Sequence, residues 1–190
     1  MILFIDTSSR VAVLATIEGD RVNEIHEDTR SPELHARLRC LVRDNTITKV
    51  AVVTGPGSFT GLRTGVSFGL GLTLGLKIPI VALPTLELQA ARSGTPATAI
   101  VEAGRGRFYH LPPGGEAALG APGEIPTTFP LVGWISPEGR RALEGAGHRF
   151  MTEETLLSVG AAAALKLEAA PEVPYGSLRV EYMQSFTARI

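Results

Sequence analysis

Thr54-Gly55-Pro56-Gly57-Ser58-Phe59-Thr60-Gly61-Leu62-Arg63-Thr64-Gly65 is the stretch on which the fold turns. It follows a β-branched run from Lys49 and opens a glycine-studded apolar segment that ends near Leu76, so it reads as strand, tight loop and helix. Gly55 and Gly57 around Pro56 allow a sharp turn, and Ser58 or Thr60 can cap the helix by accepting a backbone N–H bond. Such a loop aims N–H groups at a helix N-terminus, where an anion can sit. Two nucleotide-binding patterns fail on spacing. A Walker A loop needs lysine before Ser/Thr after its last glycine, whereas Leu62-Arg63-Thr64 follows Gly61. A dinucleotide fingerprint needs its third glycine one residue earlier and a donor where Pro56 has none, with an acidic residue for the ribose at the end of a second strand. A tight turn and helix start is the reading that survives.

Working outward, Met1 to Asp6 is an apolar run that delivers Thr7-Ser8-Ser9 at its end, and Val11 to Ile17 and Arg21 to Asp28 flank a Gly19-Asp20 hairpin turn. Ser31-Pro32-Glu33 starts a helix to about Asp44, with Leu34, Leu38, Leu41 and Val42 on one face. Ile78 to Leu83 is a fifth strand, and Pro84-Thr85 opens a helix to about Arg92. The order βββαβαβα is that of a ribonuclease-H-like or actin-like half-fold. The pattern restarts at Ala97 to Glu102, with a turn at Gly104-Arg105-Gly106 and a strand from Arg107 to Leu111. Beyond it come a short strand from Leu131 to Ile135, an alanine-rich helix from Glu153 to Glu168 and an extended segment from Val180 to Met183. The boundary expected from this reading separates a first lobe, residues 1–95, from a smaller, degenerate second lobe, 96–190.

The 190 residues are 44% hydrophobic and 19% charged, with a formal net charge of −1. That is a globular composition without the basic surplus of a chain that binds RNA by itself, so any role with RNA is expected to be indirect. Cys40 is the only cysteine, which rules out an internal disulfide or a cysteine zinc cluster within one chain and points to a cytoplasmic location. Met1 leads straight into a strand with no leader pattern, and the apolar segment from Val66 to Leu76 is too short and glycine-rich for a membrane span.

The helix after the loop carries two stripes. Gly57, Gly61, Gly65 and Gly69 recur every four residues with Phe68, Leu72 and Leu76 beside them, while Leu62, Val66, Leu70 and Leu74 lie across the helix. A helix apolar on both sides must be covered on both. The glycines serve either packing inside one chain or close approach of a second chain, and the second reading makes them, with His35, Arg63, Phe68 and Leu72, a partner or dimer interface. Asp6-Thr7-Ser8 at a strand end suits a metal-bridged phosphate, and equally suits turn chemistry. His26, His35, His110 and His148 include no His-x-x-x-His pair for a metal, and Gly57-Ser58-Phe59-Thr60-Gly61 misses the serine-hydrolase elbow by one residue. Glu102, Arg105 and Arg107 read as a solvated, salt-bridging turn.

Asp6-Thr7-Ser8, the long motif from Gly55 to Gly65, and Pro84-Thr85-Leu86 together resemble the TsaB/YeaZ family of bacterial tRNA threonylcarbamoyladenosine biosynthesis. Glu102-Ala103-Gly104-Arg105-Gly106-Arg107-Phe108-Tyr109 is similar to that family's Asp-Ala-Arg turn, and Tyr182-Met183 to its C-terminal Tyr-Leu-Arg. The resemblance implies a two-lobed actin/Hsp70-like α/β fold and a non-catalytic scaffold. It implies pairing with the catalytic subunit TsaD, binding of the pair by the ATPase TsaE, and a homodimer when the chain is alone. It implies no catalytic residue, no metal and no cofactor of its own, with Asp6, Thr7 and Ser8 a vestigial nucleotide site. The rival expectation is a small actin-like ATPase or kinase that uses Asp6 and the glycine-rich loop.

Overall fold

β1 (Ile2–Asp6) is buried from Leu3 to Asp6 and runs through the middle of the larger of two sheets. The computed structural model describes residues 1–173 and Leu178. β1 pairs antiparallel with β2 (Val11–Glu18), and β2 with β3 (Arg21–Asp28) across a turn where Gly19 takes φ +55°. On the other side β1 lies parallel to β4 (Lys49–Gly55), and β4 parallel to β5 (Ile80–Pro84). Parallel neighbours need crossovers, supplied here by α1 (Glu33–Asp44) before β4 and α2 (Phe59–Leu76) before β5.

Both faces of this sheet are covered, and the alternation along each strand shows how. Phe4, Ala51 and Val53 point into one core with Leu88, Val159, Ala162 and Ala163, whereas Leu3, Ile5, Val50 and Val52 point into another with Leu34, Leu38 and Val66. A strand buried on both faces reads as a continuous apolar run, which is why β1 and β4 stand out in the sequence.

α3 (Thr85–Ala91) leads to a second sheet of β6 (Thr98–Gly104), β7 (Arg107–Leu111), β8 (Ala118–Gly120) and β9 (Leu131–Val132), ordered β8-β7-β6-β9. β6 is antiparallel to β7, β7 to β8, and β6 is parallel to β9. The larger sheet is ordered β10-β5-β4-β1-β2-β3, so its β3-β2-β1-β4 portion repeats in the smaller one. Where the larger sheet spends a full helix between its third and fourth strands, the smaller spends a 3-10 turn at Pro122–Glu124. Leu86 of α3 covers one face through Ala99, Val101 and Tyr109, and Leu143 of α4 (Pro137–Gly145) covers the other through Ile100 and Phe108.

The chain then returns. α5 (Val159–Leu167) packs on the larger sheet, and β10 (Glu172–Val173) extends it beside β5. Of the described residues after 96, the smaller sheet and α4 form one unit, and α5 and β10 pack on or extend the larger sheet. Arg92, 3% exposed, secures the return by donating to Leu157 O at 3.0 Å, to Gln89 Oε1 at 3.2 Å and to the Glu153 carboxylate at 2.5 Å.

The alanine-rich helix is shorter than its composition suggests. A 3-10 turn takes Glu153–Thr155, and α5 starts where Ser158 Oγ accepts from Ala161 N at 3.2 Å. β9 ends at Val132 rather than Ile135, because Gly133 turns the chain away with φ +157°. α4 and β8 went unread from sequence. Val180 to Met183, including Tyr182, lies outside the described residues.

The glycine stripe of α2 turns inward. A methyl at Gly61 would run into the Thr7 carbonyl oxygen, at Gly65 into Thr7 Oγ1, and at Gly69 into Val52 Cγ1, whereas at Gly71 it would meet open space. Gly61→Ala is expected to destabilise the protein by about 1–3 kcal/mol, and Gly71→Ala to stabilise it by up to ~1 kcal/mol through helix propensity. Chemical denaturation of the two variants measures both signs.

In the smaller sheet, burial pushes the His110 imidazole below its ordinary value of 6.5; a backbone hydrogen bond at Phe108 opposes this, and the neighbouring His148 adds to it. The unfolded chain therefore binds this proton at higher pH than the folded one. The stability concerned is present above about pH 6.5 and is lost as pH falls toward the folded value. His110→Gln should flatten the dependence of unfolding free energy on pH just below that point, read by denaturation at a series of pH values.

Candidate functional site

Asp6 ends β1 and is 4% exposed. Its Oδ1 accepts from Ser8 N at 2.8 Å, the local turn that Asp-Thr-Ser favours. Burial raises its carboxyl above the ordinary value, against the hydrogen bonds from Ser8, which lower it; Glu24 adds a smaller upward push. Thr7 Oγ1 donates to Gly61 O at 2.7 Å, and Ser8 O accepts from Ser58 N at 2.6 Å. The end of β1 is thus bonded to the start of α2.

Those bonds decide what the glycine-rich loop can do. Ser58 N is given to Ser8 O, Gly61 N to Ser58 Oγ at 3.3 Å, and Leu62 N to Ser58 O at 2.8 Å. Donors that a phosphate-binding loop would present to an anion are taken by the chain itself. Asp6, Thr7 and Ser8 are all buried, so the expected nucleotide trio forms a packed joint.

A cleft of about 990 Å³ lies between the lobes, with Ser8, Arg10 and Ser58 on one wall and Glu102, Trp134 and Ser136 on the other. Glu102 does not join an arginine cluster. It accepts from Ser136 N at 3.0 Å and Ser136 Oγ at 2.7 Å, while Ser136 Oγ caps α4 by accepting from Gly139 N at 3.0 Å. Arg107 instead reaches Leu119 O at 3.1 Å and Glu124 at 3.6 Å. Trp134 meets His26 edge-on, with ring centroids 5.5 Å apart. His26 in turn touches Glu24, which also accepts from Gly160 N at 2.6 Å. Burial raises the Glu24 carboxyl, but the hydrogen bonds from His26, Ser158 and Gly160 together outweigh it and hold it below its ordinary value.

The outer face of α2 is different in kind. Phe59 and Leu74 on it are 52% and 59% exposed, Leu76 at the helix end is 47% exposed, and the Arg63 guanidinium lies 3.7 Å from the Phe59 ring centroid. A groove of about 570 Å³ between α1 and α2 is lined by His35, Phe59, Arg63, Ser67 and Phe68 among others. Of the interface residues expected from sequence, His35, Arg63 and Phe68 come together here, and Leu72 is half-buried against the core shared with α1. Gly57, Gly61, Gly65 and Gly69 do not take part: their close approach is to β1 and β4, so the stripe packs inside one chain. Leu62 and Val66, placed across the helix from the glycines, are buried too. Phe59 and Leu74 were missed as exposed residues, because the spacing that sets them apart from the glycines groups Leu74 with Leu62 and Val66, which are buried.

The histidines are spread over β3, α1, β7 and the turn after α4, and among the described residues no group of three or more His, Cys, Asp or Glu is placed to hold a metal ion. No helix among them is long and apolar enough to cross a membrane.

Comparison with known proteins places this geometry. The family described as TsaD, tRNA N6-adenosine threonylcarbamoyltransferase, matches residues 36–121. The tRNA threonylcarbamoyladenosine biosynthesis protein TsaB of Bacillus subtilis is 33% identical over 120 residues, covering 57% of this chain and 52% of that protein. TsaB of Escherichia coli is 30% identical over 122 residues, with the same shares. The chain thus spans about half the length of the curated relatives it matches. YeaZ from Pseudomonas aeruginosa superposes with a TM-score of 0.71 at 22% identity, covering 96% of this chain and 99% of that one. The fold is therefore the two-lobed actin/Hsp70-like α/β fold of that structure, with a reduced second lobe. Over the matched region, which holds the motif from Gly55 to Gly65, the chain is similar in sequence to the TsaB proteins, and over nearly its whole length it is similar in fold to YeaZ.

Proposed function

We propose that this chain is a non-catalytic partner subunit in the synthesis of N6-threonylcarbamoyladenosine on tRNA, docking a TsaD-type catalytic subunit through the outer face of α2 and its groove with α1. The observation that carries the proposal is that face: Phe59 and Leu74 are large, apolar and more than half exposed on it, with Arg63 stacked on Phe59. Exposed apolar side chains with arginine and aromatic anchors are the composition of a protein interface. The relatives named above supply the process. The same face serves a homodimer when the chain is alone, a TsaE-type ATPase binds the assembled pair, and tRNA is reached through the partner, in the cytoplasm. Catalysis, metal and cofactor belong to the partner in this reading. The closed loop at Ser58 supports it, since its donors are spent on the chain's own carbonyl.

Phe59→Asp combined with Leu74→Asp should weaken co-elution with a TsaD-type subunit by about tenfold or more, the range of interface anchors. Both side chains are exposed, so the melting temperature should stay within a few degrees of the parent. Undiminished complex formation by the folded variant would sink the docking surface.

A second measurement separates this reading from an actin-like ATPase or kinase working in the interlobe cleft. Calorimetry of the isolated chain with Mg-ATP is expected to give no heat that Asp6→Ala removes. Tight binding abolished by that substitution would transfer the assignment to the cleft.

A further inference from the structure

Beneath the interlobe cleft lies a second, much smaller cavity of about 10 Å³. Asp6 and Ser8 reach it from the end of β1, Thr85 and Gln89 from α3, and Val101 and Trp134 from the smaller lobe. Two polar atoms at this cavity are buried without a hydrogen-bond partner in the protein: Thr85 Oγ1, on a residue 1% exposed, and Trp134 Nε1. Unpaired buried donors and acceptors are rare because each forfeits its bonds to water on folding. Both belong to residues that line this one cavity, beside a buried carboxylate whose Oδ1 is taken by Ser8 N, and so could share one partner.

Size and chemistry restrict that partner. A cavity of about 10–15 Å³ holds one water molecule when two to four polar groups surround it. The indole N–H only donates, so its partner must accept, which a cation cannot do. An oxyanion is larger than the one-water volume of about 10 Å³. A neutral molecule that accepts in this volume is water.

The geometry points to a single structural water at the lobe junction, accepting from Trp134 Nε1–H, sharing a hydrogen bond with Thr85 Oγ1 and donating to Asp6. Asp6 and Thr85 belong to the larger lobe, and Trp134 stands on the segment between β9 and α4 of the smaller one. The water is therefore a latch between lobes, and any opening of the cleft that withdraws Trp134 must break it. The site is independent of the docking face on α2.

Thr85→Val is nearly isosteric and removes only the hydroxyl, so it gives opposite results for a wet and a dry cavity. With the water bound, the valine deprives it of a partner, and the melting temperature of the full chain should fall by about 2–4 °C. In a dry cavity the same change removes an unsatisfied hydroxyl, and the melting temperature would hold or rise, overturning the proposal. Trp134→Phe, which keeps an aromatic ring and deletes the N–H, supplies the second arm. If both side chains hold one water, the loss in the double variant is smaller than the sum of the single losses, whereas additive losses would overturn the shared site. Should either variant fail to fold cooperatively, a crystal structure of the parent chain decides. It must show one water within hydrogen-bond distance of both Thr85 Oγ1 and Trp134 Nε1, and an empty cavity there rejects the latch.

Discussion

The close approach of α2 to the end of β1 is the constraint from which the rest follows. Thr7 and Ser8 press their backbone and side chains against the first turns of α2 so tightly that Gly61 and Gly65 have no room for a methyl group. Two bonds fix the contact, Thr7 Oγ1 to Gly61 O and Ser58 N to Ser8 O. Side chains on β1 and β4 do the filling that α2 does not, as at Gly69, where Val52 occupies the space. The helix gives up propensity at each glycine and recovers it through sheet contact at short range. One result is a loop whose leading donors are already satisfied. The other is a helix that buries Leu62 and Val66 and leaves Phe59 and Leu74, with Leu76 at its end, exposed to solvent.

The two lobes share a strand order, but not a means of staying together. The second sheet lacks a helix between its third and fourth strands, and the elements that follow it go back to the first sheet. α5 is held there by apolar contact and by Glu24, whose carboxylate accepts from Gly160 N at the helix start, where an anion is favoured. Arg92 at the end of α3 binds the segment leading into α5 by a backbone carbonyl and an acid. Because its guanidinium is buried, each of those partners answers a donor that would otherwise be desolvated without compensation. The lobes are thus joined by α3 in one direction and by the Arg92 contacts in the other, with Trp134 wedged between them.

How much of this was legible depended on whether the deciding contact was local. β1 to β5 and α1 to α3 could be read because double burial makes continuous apolar runs and because Ser31-Pro32-Glu33 is a helix start in itself. Ser136-Pro137-Glu138 carries the same start signal, yet α4 escaped notice because it is short and has Leu143 as its one fully buried large side chain, too little for a period. β8 has three residues, below what alternation can reveal. Glu102 was misread as part of a local charge cluster since its true partner, Ser136, lies 34 residues away. The glycine stripe shows the same limit from another side. Spacing told which residues share a face of α2, but only the position of Thr7, Ser8 and Val52 could tell which way that face points.

That reversal strengthens the case for a docking face while moving it. Had the glycines faced outward, a partner would have met a smooth surface of small residues and gained little apolar area from each. With the glycines inward, the outward side is left with Phe59 and Leu74, whose burial yields the larger free energy per residue. Arg63 lies over Phe59 and keeps part of that ring covered by a group water can still solvate. Arg63 covers part of the Phe59 ring only, and Leu74 stays open to a partner with an apolar pocket. The glycines of α2 therefore act one step away from the proposed interface: they set the depth of α2 in the fold, and that depth determines which side chains a second protein can reach.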